Sequence, residues 1–173
     1  GTQAKGILKP TGCNTVNLND IKSAKRRGDY ETALNGCNDL LTLDENEVDA
    51  LKMRASIYFL MEKNKEAIED FNQVDQVSKL STKDLYLGAD AALNIEDYTT
   101  AQMWLRRGLD MEDDYFHSSM CFLLAYANMQ TSKFNDALDY LKLAEDREPN
   151  LKLPIPGFSG VASIPQLKAE VIG

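Results

Sequence analysis

The residues of this chain whose types and spacing could carry chemistry are few: a lone histidine, three cysteines and some clustered carboxylates. His117 and Cys121 stand one helical turn apart, and Asp113 and Asp114 lie just before them. A nucleophilic thiolate–imidazole pair needs a third group to orient the imidazole and donors for an oxyanion. The sequence supplies neither beside it. Cys121 also holds a position that recurs as Leu51 and Leu85, which marks a packed thiol. Zinc takes three or four protein ligands where this pair gives two. Asp44-Glu-Asn-Glu-Val-Asp49 has the carboxylate density of a calcium loop but lacks its central glycine and closing glutamate. It reads as a solvated turn, and there is no glycine-rich phosphate cradle. These residues point to no catalytic site, no metal and no cofactor.

Charge separates the chain into two parts. Residues 1–27 carry Lys5, Lys9, Lys22, Lys25, Arg26 and Arg27 against Asp20, a sum of +5, so the total of −8 leaves −13 on the remainder. A body that acidic repels phosphate backbones, which argues against nucleic acid as the general partner. No apolar run approaches the roughly 18 residues needed to span a bilayer. Cys13, Cys37 and Cys121 cannot all pair within one chain, and their spacing fits no zinc motif. Reduced thiols favour the cytoplasm, while a signal peptide trimmed earlier stays compatible with the sequence.

The positioning elements emerge when the chain is slid along itself. Arg27-Gly-Asp-Tyr-Glu-Thr-Ala33 aligns with segments ending at Ala67, Ala101 and Ala137, at spacings of 34, 34 and 36 residues. Four residues after each alanine comes Cys37, Phe71, Leu105 or Leu141, and twelve before it comes Ile21, Ala55, Ala89 or Ala125. Apolar residues within each unit recur at helical spacing, and no window alternates like a half-buried strand. Each unit is therefore a helix–turn–helix pair whose small residues permit close approach. The helices fall near 15–27, 30–43, 47–61, 64–78, 82–94, 97–110, 115–130 and 133–146. Asp29, Asp97 and Ser132 are placed to cap second helices, and the longer last spacing extends the connection near 111–118.

These residues resemble the tetratricopeptide repeat family, with Gly28-Asp-Tyr-Glu-Thr-Ala33 and Glu148-Pro149-Asn150 the nearest matches to its pattern. The resemblance covers about residues 14–150. It implies a right-handed all-α solenoid of four antiparallel helix pairs, at about 14–46, 47–80, 81–114 and 115–150, after an extension at 1–13. Repeat one departs from the pattern at Asn17 and Asp20, which suits a terminal repeat with an uncovered face. Residues 151–173 hold a Pro-rich extended stretch and a short helix. They either cap the array through Leu151, Leu153, Ile155 and Phe158 or lead to a further domain.

The resemblance also implies where a partner binds. First helices of such pairs line an inner groove that receives a peptide. Here the groove would hold Lys22, Lys25 and Arg26, then Lys52 and Met53, then Lys83, Tyr86 and Leu87, and finally Phe122, Leu123 and Tyr126. Chaperone-binding members clamp an acidic tail at positions that here read Leu18, Lys22, Met53, Lys83 and Leu87. Only Lys83 agrees, so that clamp is absent. On the outer side, Trp104 and Tyr140 share one repeat position and are expected to stack. The expected function is a non-catalytic scaffold binding a protein or peptide segment that is acidic at one end and apolar at the other. A self-associating module, or the non-catalytic part of a larger enzyme, are the alternatives.

Overall fold

The computed structural model describes residues 16–173, which form antiparallel helix pairs followed by a short tail. The pairs are α1 Leu18–Arg26 with α2 Tyr30–Leu43, α3 Val48–Leu60 with α4 Asn64–Val77, α5 Thr82–Asn94 with α6 Tyr98–Leu109, and α7 His117–Gln130 with α8 Phe134–Arg147. Each helix packs on the next in sequence, and the first helices also touch one another in the order α1, α3, α5, α7. This all-α solenoid is the fold the repeat period implies. The expected extension at 1–13 lies outside the described residues.

The small residues do what their spacing requires. Ala33, Ala67, Ala101 and Ala137 are all 0 % exposed, as are Ala55, Ala89 and Ala125. Around them Phe71, Leu105 and Leu141 interdigitate, joined in the core by Leu51, Leu85 and Cys121. A smaller cluster of Ile21, Ala24, Ala33, Cys37 and Ile57 closes the first pair. Trp104 is buried too, but its aromatic partner is Phe71, edge-on with centroids 6.5 Å apart, and not Tyr140. The indole points inward, against Gly88 of its own pair and Phe71 of the pair before, which corrects the expected Trp104–Tyr140 stack.

The turns inside the pairs share one conformation. Gly28, Glu62, Glu96 and Ser132, again 34, 34 and 36 residues apart, all have positive φ, from 59° to 80°. The next amide in each case donates back five residues, as in Asp29 N to Ala24 O at 2.9 Å and Lys133 N to Asn128 O at 2.7 Å. This is the left-handed closure that satisfies the last helical carbonyls. Asp29 and Asp97 cap α2 and α6 by accepting from Thr32 N and Thr100 N. Ser132 does not cap α8; it occupies the left-handed position instead.

After α8 the chain folds back. Strand β1 Lys152–Leu153 pairs antiparallel with β2 Ala162–Ser163, and α9 Ile164–Ile172 follows. Ser163 and Gln166 form a reciprocal capping box at its start, with Pro165 in the first turn. Ile155, Ala162, Ile164 and Leu167 are buried in the same core as α7 and α8.

Candidate protein-binding groove

The first helices bring the N-terminal part of the expected site together. Lys22 and Lys25 from α1, Lys52 and Met53 from α3, and Lys83 and Leu87 from α5 line one cavity of about 260 Å³. Arg26 joins Lys22, Lys25, Met53 and Lys83 in an adjoining depression that also includes Leu60. The repeat period explains the assembly: Lys22 and Ser56 share one repeat position and Met53 and Leu87 another, and all four line the cavity. Two acidic neighbours escaped the sequence reading. Asp84 pairs with Lys52 at 2.9 Å, and Asp49 lines the same cavity. Their signal was available, since Asp49 and Lys83 share a repeat position and Ser81-x-x-Asp84 is a capping box.

The charge at this end is net positive, five cations against Asp49 and Asp84. Lys52 has Asp84, but Lys22, Lys25, Arg26 and Lys83 form no ion pair among the described residues. Burial, together with the charges of Lys83 and Lys22, holds the Lys25 ammonium below the usual lysine range. Lys25 and Arg26 lie in the last turn of α1, where cations suit the helix dipole. Lys83 lies in the first turn of α5, where the same dipole opposes it. Helix stability therefore does not account for Lys83.

The other end differs from expectation. Phe122 and Leu123 are 0 % and 1 % exposed, within the core between α7 and its neighbours. Tyr126 is 4 % exposed, and its hydroxyl donates to the Pro156 carbonyl of the tail at 3.1 Å. The tail folding back on α7 and α8 covers this side, so these three residues do not form an open apolar wall. Tyr86 is half-buried and stacked on Phe116 with centroids 4.9 Å apart. One turn along α5, burial pushes the Asp90 carboxyl up to about 6.

The thiol chemistry considered from sequence takes a definite form. Cys121 Sγ lies 3.8 Å from His117 Nδ1. Burial pushes that thiol up to about 11, so it stays protonated at neutral pH. Cys37 is likewise pushed up to about 11 by burial.

Residues 48–79, which span the second helix pair, match the tetratricopeptide repeat family model. No curated protein matches the chain. Among solved structures it is similar to YrrB, described as a TPR protein with an unusual peptide-binding site, at 17% identity and a TM-score of 0.72, over 86% of this chain and 76% of that one. It is similar to MamA from Desulfovibrio magneticus RS-1 at 15% identity and a TM-score of 0.68, over 76% and 73%. It is also similar to PilW, a type IV pilus biogenesis factor, at 20% identity and a TM-score of 0.62, over 75% and 59%. At these identities the likeness is one of fold.

Proposed function

With the chain built as a tetratricopeptide-type repeat array, its second pair matching that family's model, we propose that it is a non-catalytic interaction module holding a segment of another protein in the groove of its first helices. The observation that carries this reading is the set of four cations, Lys22, Lys25, Arg26 and Lys83, gathered without carboxylate partners around Met53. Like charges crowded beside a half-buried lysine destabilise the free protein. A partner carboxylate relieves that cost, which makes the cluster better suited to the bound state than to the free one. The ligand this favours is a short segment with several carboxylates and one large apolar side chain that reaches Met53 and Leu87. The apolar contact supplies most of the affinity, and the charges supply orientation and on-rate.

The test is a fluorescence-anisotropy titration with a synthetic peptide of that chemistry at low and high salt. The wild-type chain is expected to bind, with weaker binding at high salt because exposed charges are screened beyond about 10 Å at 0.1 M. Lys22→Glu with Lys83→Glu is expected to weaken binding strongly at low salt and less at high salt. Equal affinity for the wild-type chain and the double variant overturns the reading.

A further inference from the structure

The same chain carries a segment of the chemistry its groove would accept. The connection from α6 to α7, residues 110–116, reads Asp-Met-Glu-Asp-Asp-Tyr-Phe, with four carboxylates in seven residues. It is longer than the four-residue connections 44–47 and 78–81 at the equivalent junctions. Residues 110–115 are all exposed, and Tyr115 is 81 % exposed, more than any other large apolar side chain among the described residues. We propose that this loop of one copy docks in the lysine-lined groove of a second copy, so that the chain assembles head to tail.

The loop is held ready rather than loose. Thr82 Oγ1 donates to Asp113 at 2.6 Å, and Tyr115 N donates to the other oxygen of the same carboxylate at 3.0 Å. Arg147 approaches Asp114 at 3.8 Å, and the Tyr115 ring meets Phe116 edge-on with centroids 4.8 Å apart. Fixing these side chains in advance lowers the entropy lost on docking. Asp110 and Glu112 have no ion pair among the described residues, and they flank Met111, itself 40 % exposed. Asp110 and Glu112, with Met111 and Tyr115 beside them, complement the cations around Met53 and Leu87. The loop cannot fill the groove of its own chain, because these contacts fix it to the array with Tyr115 turned to solvent.

Groove and loop are different surfaces, so the contact is heterologous. It leaves one groove and one loop unfilled at the ends of each assembly, and it closes only if the rotation between copies permits. This inference rests on the groove reading above and adds the identity of an occupant.

The experiment is sedimentation velocity on the full chain over a range of concentrations at two salt levels. The expected result is a mass that rises with concentration and rises less at high salt. A groove variant, Lys22→Glu with Lys83→Glu, and a loop variant, Glu112→Gln with Tyr115→Ser, alter exposed side chains only. Each is expected to weaken association by roughly tenfold or more. An equimolar mixture of the two variants restores one intact contact, the loop of the first against the groove of the second. It is therefore expected to give a dimer and nothing larger. Circular dichroism melts confirm that both variants fold. A wild-type chain that stays monomeric up to its solubility limit, or a mixture that gives no dimer, overturns the proposal. If the acidic peptide still binds in that case, and loses binding with Lys22→Glu and Lys83→Glu, self-assembly has failed and the groove reading stands. If neither peptide nor second copy binds, both fail.

Discussion

The indole of Trp104 lies so close to Gly88 that a Cβ on residue 88 would meet its Cζ3 at 2.4 Å and its Cε3 at 2.6 Å. One repeat earlier the same two positions hold Arg54 and Asp70, joined by hydrogen bonds of 2.8 and 2.7 Å. The contact between first and second helix is thus made once by a guanidinium on a carboxylate and once by a ring on a bare backbone. Both solutions bury the position from the second helix, with Asp70 at 4 % and Trp104 at 1 % exposure. The repeat geometry fixes the distance, and each pair of residues fills it differently.

Gly88→Ala tests that contact. A helix-interior glycine replaced by alanine ordinarily gains about 0.5–1 kcal/mol. Here the added methyl collides with a buried ring that has no room to move, and overpacking of this kind costs about 1–3 kcal/mol. The expected outcome in denaturant melts is a net loss. Gly108→Ala is the comparison, since its Cβ would meet Met120 Cε at 2.4 Å. That is the far end of a flexible side chain, which yields more cheaply. Equal losses at both positions would sink the argument.

The left-handed turn position makes a second prediction, with opposite signs at two repeats. Glu96 has φ 59° and Gly28 has φ 80° at equivalent sites. A side chain in this region costs about 1–2 kcal/mol, partly offset by the greater unfolded-state freedom of glycine. Glu96→Gly is therefore expected to stabilise the fold by up to about 1 kcal/mol. Gly28→Ala should destabilise it by a similar amount, although nothing lies within 4 Å of the added Cβ. Thermal melts of the two variants give the signs directly.

The repeat was legible because it is local and periodic. Alanines at 33, 67, 101 and 137 announce helix pairs wherever they occur, and the left-handed turns follow from helix closure. The basic end of the groove was legible for the same reason, since Lys22, Lys25, Met53 and Lys83 take their facing from helical phase alone. The far end was not. Whether Tyr126 faces solvent depends on where Pro156, thirty residues later, comes to rest. No periodicity carries that information. The partner of Trp104 was hidden in the same way, because the glycine that admits the ring lies in the preceding helix.

Asp90 gives a prediction in pH. Burial raises its carboxyl to about 6, against 3.8 for the unperturbed group. Between those values the folded chain binds more protons at this site than the unfolded chain. Stability therefore falls as pH rises from about 4 to about 6 and levels off above that. The Asp90 charge also adds to the burial that pushes the Tyr86 hydroxyl up to about 12. Asp90→Asn removes the titration, so the variant is expected to be the more stable protein above pH 6, by a margin that shrinks towards pH 4. A stability difference that does not change with pH would show that the carboxyl is better solvated than its position suggests.

The last prediction concerns the tail, whose attachment has two separable parts. Leu167 in α9 is 0 % exposed and belongs to the main core, so it contributes by burial. Tyr126 contributes through one hydrogen bond to Pro156 O. Leu167→Ala leaves a cavity where α9 meets α8, at a cost of about 2–5 kcal/mol. Tyr126→Phe keeps the ring and loses the bond, at about 0.5–1.5 kcal/mol. If the tail unfolds together with the repeats, both losses appear in one cooperative transition, and truncation after Asn150 lowers the midpoint by more than either. If the tail instead detaches on its own, Leu167→Ala leaves the main transition unmoved. Amide hydrogen exchange then shows α9 losing protection while α7 and α8 retain theirs. The two outcomes cannot both occur, and the first is the one that burial of Ile155, Ala162, Ile164 and Leu167 in the shared core requires.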